Sequence, residues 1–312
     1  MADKRIDEPT GVETVGHEWD GIEELNTPLP RWWLWTFYAT IVFAIGYVVV
    51  YPAIPGRHSA SAGTLGWSSR GALDKELKAA DAAKAQTRAA IAATPVEKLA
   101  DDPQLLRAAI EGGAAAFKQN CVQCHGSGAA GSRGYPNLND DDWLWGGDIV
   151  TIHQTLEHGI RYPGDDQTRT SQMPAFGRDG ILTAAQVQDV VSHVRVISGQ
   201  EKPTASSARG AQIFADNCSV CHGASGEGNR TVGAPRLNDR IWLYGGDRAT
   251  LTQTVTYARQ GVMPAWGQRL DPVTVKMLAA YVHSRGGGEA LPAATPRSPQ
   301  APDAAPAAPA TR

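Results

Sequence analysis

Gly113-Ala-Ala-Ala-Phe117-Lys-Gln-Asn120-Cys121-Val-Gln-Cys124-His125 returns later in the chain as Gly210-Ala-Gln-Ile-Phe214-Ala-Asp-Asn217-Cys218-Ser-Val-Cys221-His222, at an offset of 97 residues. Moving outward, Pro136-Asn-Leu138-Asn139-Asp140 through Trp143-Leu-Trp145-Gly146-Gly147-Asp148 matches Pro235-Arg-Leu237-Asn238-Asp239 through Trp242-Leu-Tyr244-Gly245-Gly246-Asp247 at an offset of 99. Met173-Pro-Ala-Phe176-Gly177 then matches Met263-Pro-Ala-Trp266-Gly267 at an offset of 90, so the first copy carries extra residues within Ile160 to Gln172. Each copy closes on a helical pattern, Thr183 to Ser198 and Asp271 to Ser284, whose first residue is a good N-cap. An internal repeat of this length predicts two small domains in tandem. Little of the chain alternates apolar and polar residues as strands do, and 33 Gly and 20 Pro imply much irregular backbone between short helices. The expected fold class is all-α.

All four cysteines of the chain lie in the two Cys-x-x-Cys-His motifs. Two thiols at this spacing reach the two vinyl groups of one haem, and the adjoining imidazole reaches its iron, so the motif reads as c-type haem attachment. A four-cysteine zinc site needs its pairs closer than 97 residues, and a thioredoxin-like dithiol needs a βαβ context that the pattern lacks. The expectation is two covalent haems c, on Cys121 and Cys124 and on Cys218 and Cys221, with His125 and His222 as axial ligands.

The second axial ligand is sought by elimination. The chain holds only Met1, Met173, Met263 and Met277, and the repeat places Met173 and Met263 at one point of each copy, 48 and 41 residues after His125 and His222. Met277 lies on an apolar helix face and reads as core. His153, His158 and His193 are the rivals to Met173 in the first copy. A thioether favours ferrous iron and raises the potential of its haem, and an iron with both axial positions filled moves single electrons. Phe117 and Phe214 are expected to pack on the closing helices around Val194 and Tyr281. Trp143, Trp145, Trp242 and Tyr244 either line the haem, donating to a propionate, or form core. Arg133, Arg169, Arg230 and Arg259 either offset propionate charge or stand in solvent.

Trp32 to Tyr51 is a run of 20 uncharged residues, ~30 Å as a helix, which is the thickness of the hydrocarbon core. The 31 residues before it carry 8 acidic and 3 basic side chains, unlike the short basic start of a cleaved signal. Because haem attachment needs an extracytoplasmic compartment, the chain after Pro52 is placed outside and the amino terminus inside. Lys and Arg number 29 against 32 Asp and Glu, a net charge of −3, which gives no basic field for nucleic acid.

The stretches Cys121 to Gly177 and Cys218 to Gly267 resemble class I c-type cytochromes. That resemblance implies Met173 with His125, Met263 with His222, and the carbonyls of Pro136 and Pro235 accepting from the imidazoles. Over residues 10–287 the chain resembles a narrower family, the membrane-anchored dihaem subunit of cbb3-type cytochrome c oxidases. The residues that carry this are Gly16-His17-Glu18-Trp19-Asp20-Gly21-Ile22-Glu23-Glu24 and Asn26-Thr-Pro28-Leu29-Pro30-Arg31-Trp32-Trp33, followed by one anchor, a spacer and two haem motifs. The resemblance implies an electron relay from a soluble or membrane-bound cytochrome c, or the bc1 complex, to the monohaem and haem–copper subunits of the oxidase in a bacterial inner membrane. The expected segments are a cytoplasmic docking segment at 1–31, a membrane helix at 32–54, a partly helical periplasmic spacer at 55–106, cytochrome c domains at 107–199 and 205–287 with a linker at 200–204, and a disordered tail at 288–312. The competing classes are a tethered shuttle without a docking segment and a dihaem peroxidase, which needs one open iron.

Overall fold

The structure is a computed structural model that describes residues 5–291. Residues 5–84 and 85–291 form two separate bodies.

In the first body, β1 (Thr14–Trp19) and β2 (Ile22–Leu25) make an antiparallel hairpin in which Trp19 faces Ile22. Among the described residues this short hairpin is the only sheet in an otherwise helical chain, in keeping with the expected all-α class. The cause is local: Asp20 and Gly21 both adopt positive φ, +50° and +82°, and Asp-Gly is among the strongest short signals for a two-residue hairpin turn. Helix α1 (Arg31–Val50) follows Pro30 and is the one helix among the described residues long and apolar enough to cross a membrane. Its hydroxyls at Thr36 and Thr40 bond back to the carbonyls of Trp32 and Phe37, so neither hydroxyl needs a lipid-facing partner.

Helix α2 (Ser69–Ala93) ends in the second body, where the expected spacer proves to be partly core. Ile91, Val96 and Leu99 are buried there, and Lys276 Nζ donates to the carbonyls of Ile91, Ala92 and Thr94, capping the carboxyl end of α2. Then come α3 (Pro103–Asn120), the single turn α4 (Val122–His125), α5 (Ile149–His158), α6 (Ala184–Ile197), α7 (Ala205–Asn217), the turn α8 (Ser219–His222), α9 (Arg248–Tyr257) and α10 (Pro272–His283). Thr183 and Asp271 cap α6 and α10 as expected, Thr183 within a full capping box.

The packing partners differ from the sequential expectation. Helix α3 packs on α10, which also covers α5, whereas α6 packs on α7 and α9. The outer core therefore joins residues near 103–158 to residues near 263–289, and the inner core is the continuous stretch between them. Phe117 lies against Tyr281 with the rings tilted and their centroids 5.2 Å apart, and Phe214 lies against His193 of α6. The units expected at 107–199 and 205–287 follow one another as repeats along the chain, with α3 of the first packed on α10 of the second and α6 of the first on α7 of the second.

The connector between α6 and α7 supplies the physical reason. It folds straight back onto α6, with the amides of Gln200 and Glu201 donating to the Arg195 carbonyl and the Glu201 carboxylate taking Ser192 Oγ and Arg195 Nε. So short a link makes consecutive helices spatial neighbours at little loop-closure cost. Both crossings use a repeat glycine: a Cβ on Gly113 would strike the Met277 carbonyl, and one on Gly210 the Asp189 carbonyl.

Residues 288–291 also differ from the expected loose tail. The Glu289 amide donates to the Gly147 carbonyl, and its carboxylate takes the Gly147 amide and the Arg230 guanidinium. The remainder of that expectation lies outside the described residues.

Candidate functional site

Each Cys-x-x-Cys-His motif begins where a helix ends. Cys121 caps α3 and Cys218 caps α7, and the motif then makes one further turn that Gly126 or Gly223, at φ near +76° and +78°, brings to a stop. Cys121 is buried, and Cys124 and Cys221 are exposed. As free thiols, Cys121 and Cys218 are each pushed up to about 11 by burial and then by the neighbouring cysteine, Cys124 or Cys221. Little thiolate exists at neutral pH in those surroundings.

The imidazoles are aimed alike. His125 Nδ1–H donates to the Pro136 carbonyl at 3.0 Å, and His222 Nδ1–H to the Pro235 carbonyl at 2.9 Å. These bonds fix the tautomer and leave Nε2 as the free donor atom, the arrangement of an oriented metal-binding histidine. Burial lowers both pKa values, and the carbonyl bonds only partly oppose it, so both rings stay neutral and able to coordinate.

Met263 packs against the outer core that contains Phe117 and Cys121, and Met173 against the inner core with Phe214 and Cys218. The structure thus brings Met263 into the core of the first Cys-x-x-Cys-His motif and Met173 into that of the second. Each methionine therefore packs with the motif of the other copy rather than with that of its own. Met277 is buried in the outer core, as expected. The three rival histidines are engaged elsewhere: His153 lies 3.6 Å from Glu157, His158 lies 3.2 Å from Asp165, and His193 rests on Phe214.

One buried polar atom tests whether these cavities suit a haem. Trp145 Nε1 is fully buried and makes no hydrogen bond, the only such side-chain atom among the described residues. Trp143, by contrast, spends its N–H on the Gly287 carbonyl. An orphaned indole N–H calls for an acceptor, and a haem propionate supplies a strong one, so these residues fit the group. The Trp145 ring lies under the Arg169 guanidinium, 5.3 Å from its centroid, and against Gly233 of the other repeat, where any Cβ would collide with it. Tyr244 mirrors this under Arg259, at 4.5 Å, and against Gly134. Of the remaining arginines, Arg133 donates to the Tyr244 carbonyl and Arg230 is paired with Glu289.

Sequence reasoning passed over Arg161, whose Nε donates to the Gly261 carbonyl at 2.6 Å and whose Nη1 donates to the Ser171 carbonyl at 3.4 Å. It also passed over Ile160, whose amide and carbonyl both bond to Met263 at 3.0 Å. Their position inside the extra residues of the first copy was the available signal.

Two family models match the chain. One described as the N-terminal domain of cytochrome oxidase-cbb3, FixP, matches residues 11–57, and one described as cytochrome c oxidase, cbb3-type, subunit III, matches residues 108–194 and 205–282. A cbb3-type cytochrome c oxidase subunit CcoP of Cereibacter sphaeroides is 57% identical over 281 residues, which are 90% of this chain and 97% of the relative. The chain belongs to the CcoP/FixP family of cbb3-type oxidase subunits. FixP subunits of Rhizobium meliloti and Azorhizobium caulinodans are 53% and 51% identical, over 93% and 91% of this chain and 100% and 96% of their own lengths. The match at 11–57 takes in both the hairpin and α1, and membership in this family implies c-type haem.

Proposed function

We propose that this CcoP/FixP chain is the dihaem electron-transfer subunit of a cbb3-type oxidase. Cys121 and Cys124 would hold one haem c, and Cys218 and Cys221 the other. His125 with Met263 and His222 with Met173 would be the axial pairs. The haems supply reversible one-electron exchange, and the oxygen chemistry belongs to the haem–copper subunit. The chain's own residues orient the imidazoles through the Pro136 and Pro235 carbonyls, keep them neutral by burial, and offer the Trp145 N–H to a propionate. Electrons would enter from a cytochrome c or the bc1 complex and leave through the monohaem subunit. The amino terminus would lie in the cytoplasm and the haem domains in the periplasm of a bacterial inner membrane. The hairpin and α1, covered by the family match at 11–57, would dock the chain to its partners.

The observation that carries this reading is that each core gathers one Cys-x-x-Cys-His motif and one Met-Pro-Ala loop. The axial pairing is tested by Met263→Leu in a chain whose second motif is removed by Cys218→Ser and Cys221→Ser, purified with the oxidase. The chain's remaining c haem should lose potential and bind carbon monoxide. Unchanged behaviour there, with the effect produced by Met173→Leu instead, would restore the sequential pairing. Copurifying b-type haem with a CO-reactive component supports the oxidase role, and its absence under mild detergent would favour a tethered shuttle.

A further inference from the structure

The two methionine loops are held unequally, and the cause is the length difference between the repeats. Met263 is clasped by the extra residues of the first copy. Ile160 exchanges two backbone hydrogen bonds with it, both 3.0 Å, and Arg161 Nε donates to the Gly261 carbonyl. Downstream, Gln268 Nε2 donates to the Gly164 carbonyl at 2.7 Å and reaches Asp165, which also receives His158. The second copy has no such insertion. Only Ala258 to Val262 separate α9 from Met263, whereas Gly159 to Gln172 separate α5 from Met173.

Met173 has nothing comparable. Among the described residues, the backbone polar groups of Gln172, Met173 and Pro174 make no hydrogen bond, and the loop's tie just before them is the 3.4 Å contact of Ser171 with Arg161. Beside this loop lies a cavity of about 270 Å³, lined by Gln172, Met173, Pro174, Tyr257, Ala258 and Gln260. A side chain whose backbone is untied and whose neighbour is empty space can swing aside without breaking hydrogen bonds or overpacking the core. Met263 must break two.

We propose that Met173 is the axial ligand that gives way, making the haem held by Cys218, Cys221 and His222 a binding site for a small neutral diatomic ligand such as carbon monoxide or nitric oxide. The proposal rests on the reading of Met173 and Met263 as axial ligands. The exchange is a plain ligand substitution at ferrous iron: the Met173 thioether leaves, the diatomic takes its place, and no electron or proton is transferred. His222 stays bonded to Pro235 throughout.

The test uses the intact oxidase, reduced and titrated with carbon monoxide, read at the c-haem absorption and by magnetic circular dichroism, apart from the b-type signals. One of this chain's two c haems should respond in the parent. Met173→His, which keeps the iron six-coordinate with a firmer ligand, should abolish the response, and Met263→His should leave it in place. Asp165→Ala with Gln268→Ala, which loosens the clasp, should make the second c haem respond as well. The ligand reading is checked separately in the oxidised complex without carbon monoxide. There each histidine variant should remove part of the methionine-to-iron charge-transfer absorption. If Met173→His leaves that absorption intact, the ligand reading falls and the proposal with it. If the absorption falls as expected but both or neither of this chain's c haems bind carbon monoxide, or Met263→His is the variant that abolishes binding, the proposal alone is overturned.

Discussion

The outer and inner cores are built from the same repeat, yet one is assembled from two distant stretches and the other from a single continuous one. In the outer core, α3 must wait for α10 at the far end of the chain, and the carboxyl end of α2 is bolted on by Lys276 and by Arg88, 2.7 Å from Asp271. In the inner core, α6 and α7 are consecutive, and their crossing is pinned by Asp189, which takes Ser206 Oγ and a bidentate Arg209. Equivalent sequences thus reach equivalent cores by routes of very different contact order. The difference teaches that repeat similarity sets what a helix can pack against, whereas connector length sets which copy it meets.

The sharpest way to break this comparison is to empty one core at a time. Phe117→Ala should cost about 3–5 kcal/mol and expose the amides of α10 to hydrogen exchange while those of α6 and α7 stay protected. Phe214→Ala should do the reverse. If Phe117→Ala deprotected α6 instead, the nested packing would be wrong.

A smaller effect is expected where the outer core receives α2. Lys276→Met keeps the aliphatic stem and removes an ammonium that serves three carbonyls, so it should cost about 1–3 kcal/mol and speed exchange or proteolysis around Ile91 to Thr94. Protection there equal to the parent's would mean that buried Ile91 and Leu99 alone hold the segment.

The smallest effect distinguishes the cores by pH. Hydrogen bonds from Arg209 and Ser206 hold the Asp189 carboxyl below the usual carboxylate range. Its stabilisation is therefore present at neutral pH, above the unfolded value, and is lost as pH falls through the lowered one. Asp189→Asn should flatten the acid side of inner-core stability, followed by hydrogen exchange between about pH 6 and pH 3, and leave the outer core's profile alone. An unchanged inner-core profile would remove Asp189 from the account.

Much of this was legible in residues. The membrane helix, the caps at Thr183 and Asp271, the burial of Met277 and the two Cys-x-x-Cys-His turns follow from local pattern. The hairpin at Asp20-Gly21 was written in the sequence but outweighed by the helical character of the rest. Pairing was not legible from pattern, because Phe117 meets an apolar helix face equally well on α6 or α10. The decisive quantity was the short link from Ser198 to Thr204, a matter of chain entropy that motif comparison does not weigh. The clasp on Met263 was hidden for a related reason: an insertion in one copy serves the loop of the other.

Nesting also imposes an order in time. As the chain emerges from its amino end, everything the inner core requires has been delivered by Tyr257, whereas the outer core lacks its closing helix until α10 follows. The first Cys-x-x-Cys-His motif to be made is therefore the last to be enclosed, which under the proposed function would leave its two thiols open to haem attachment for the whole interval.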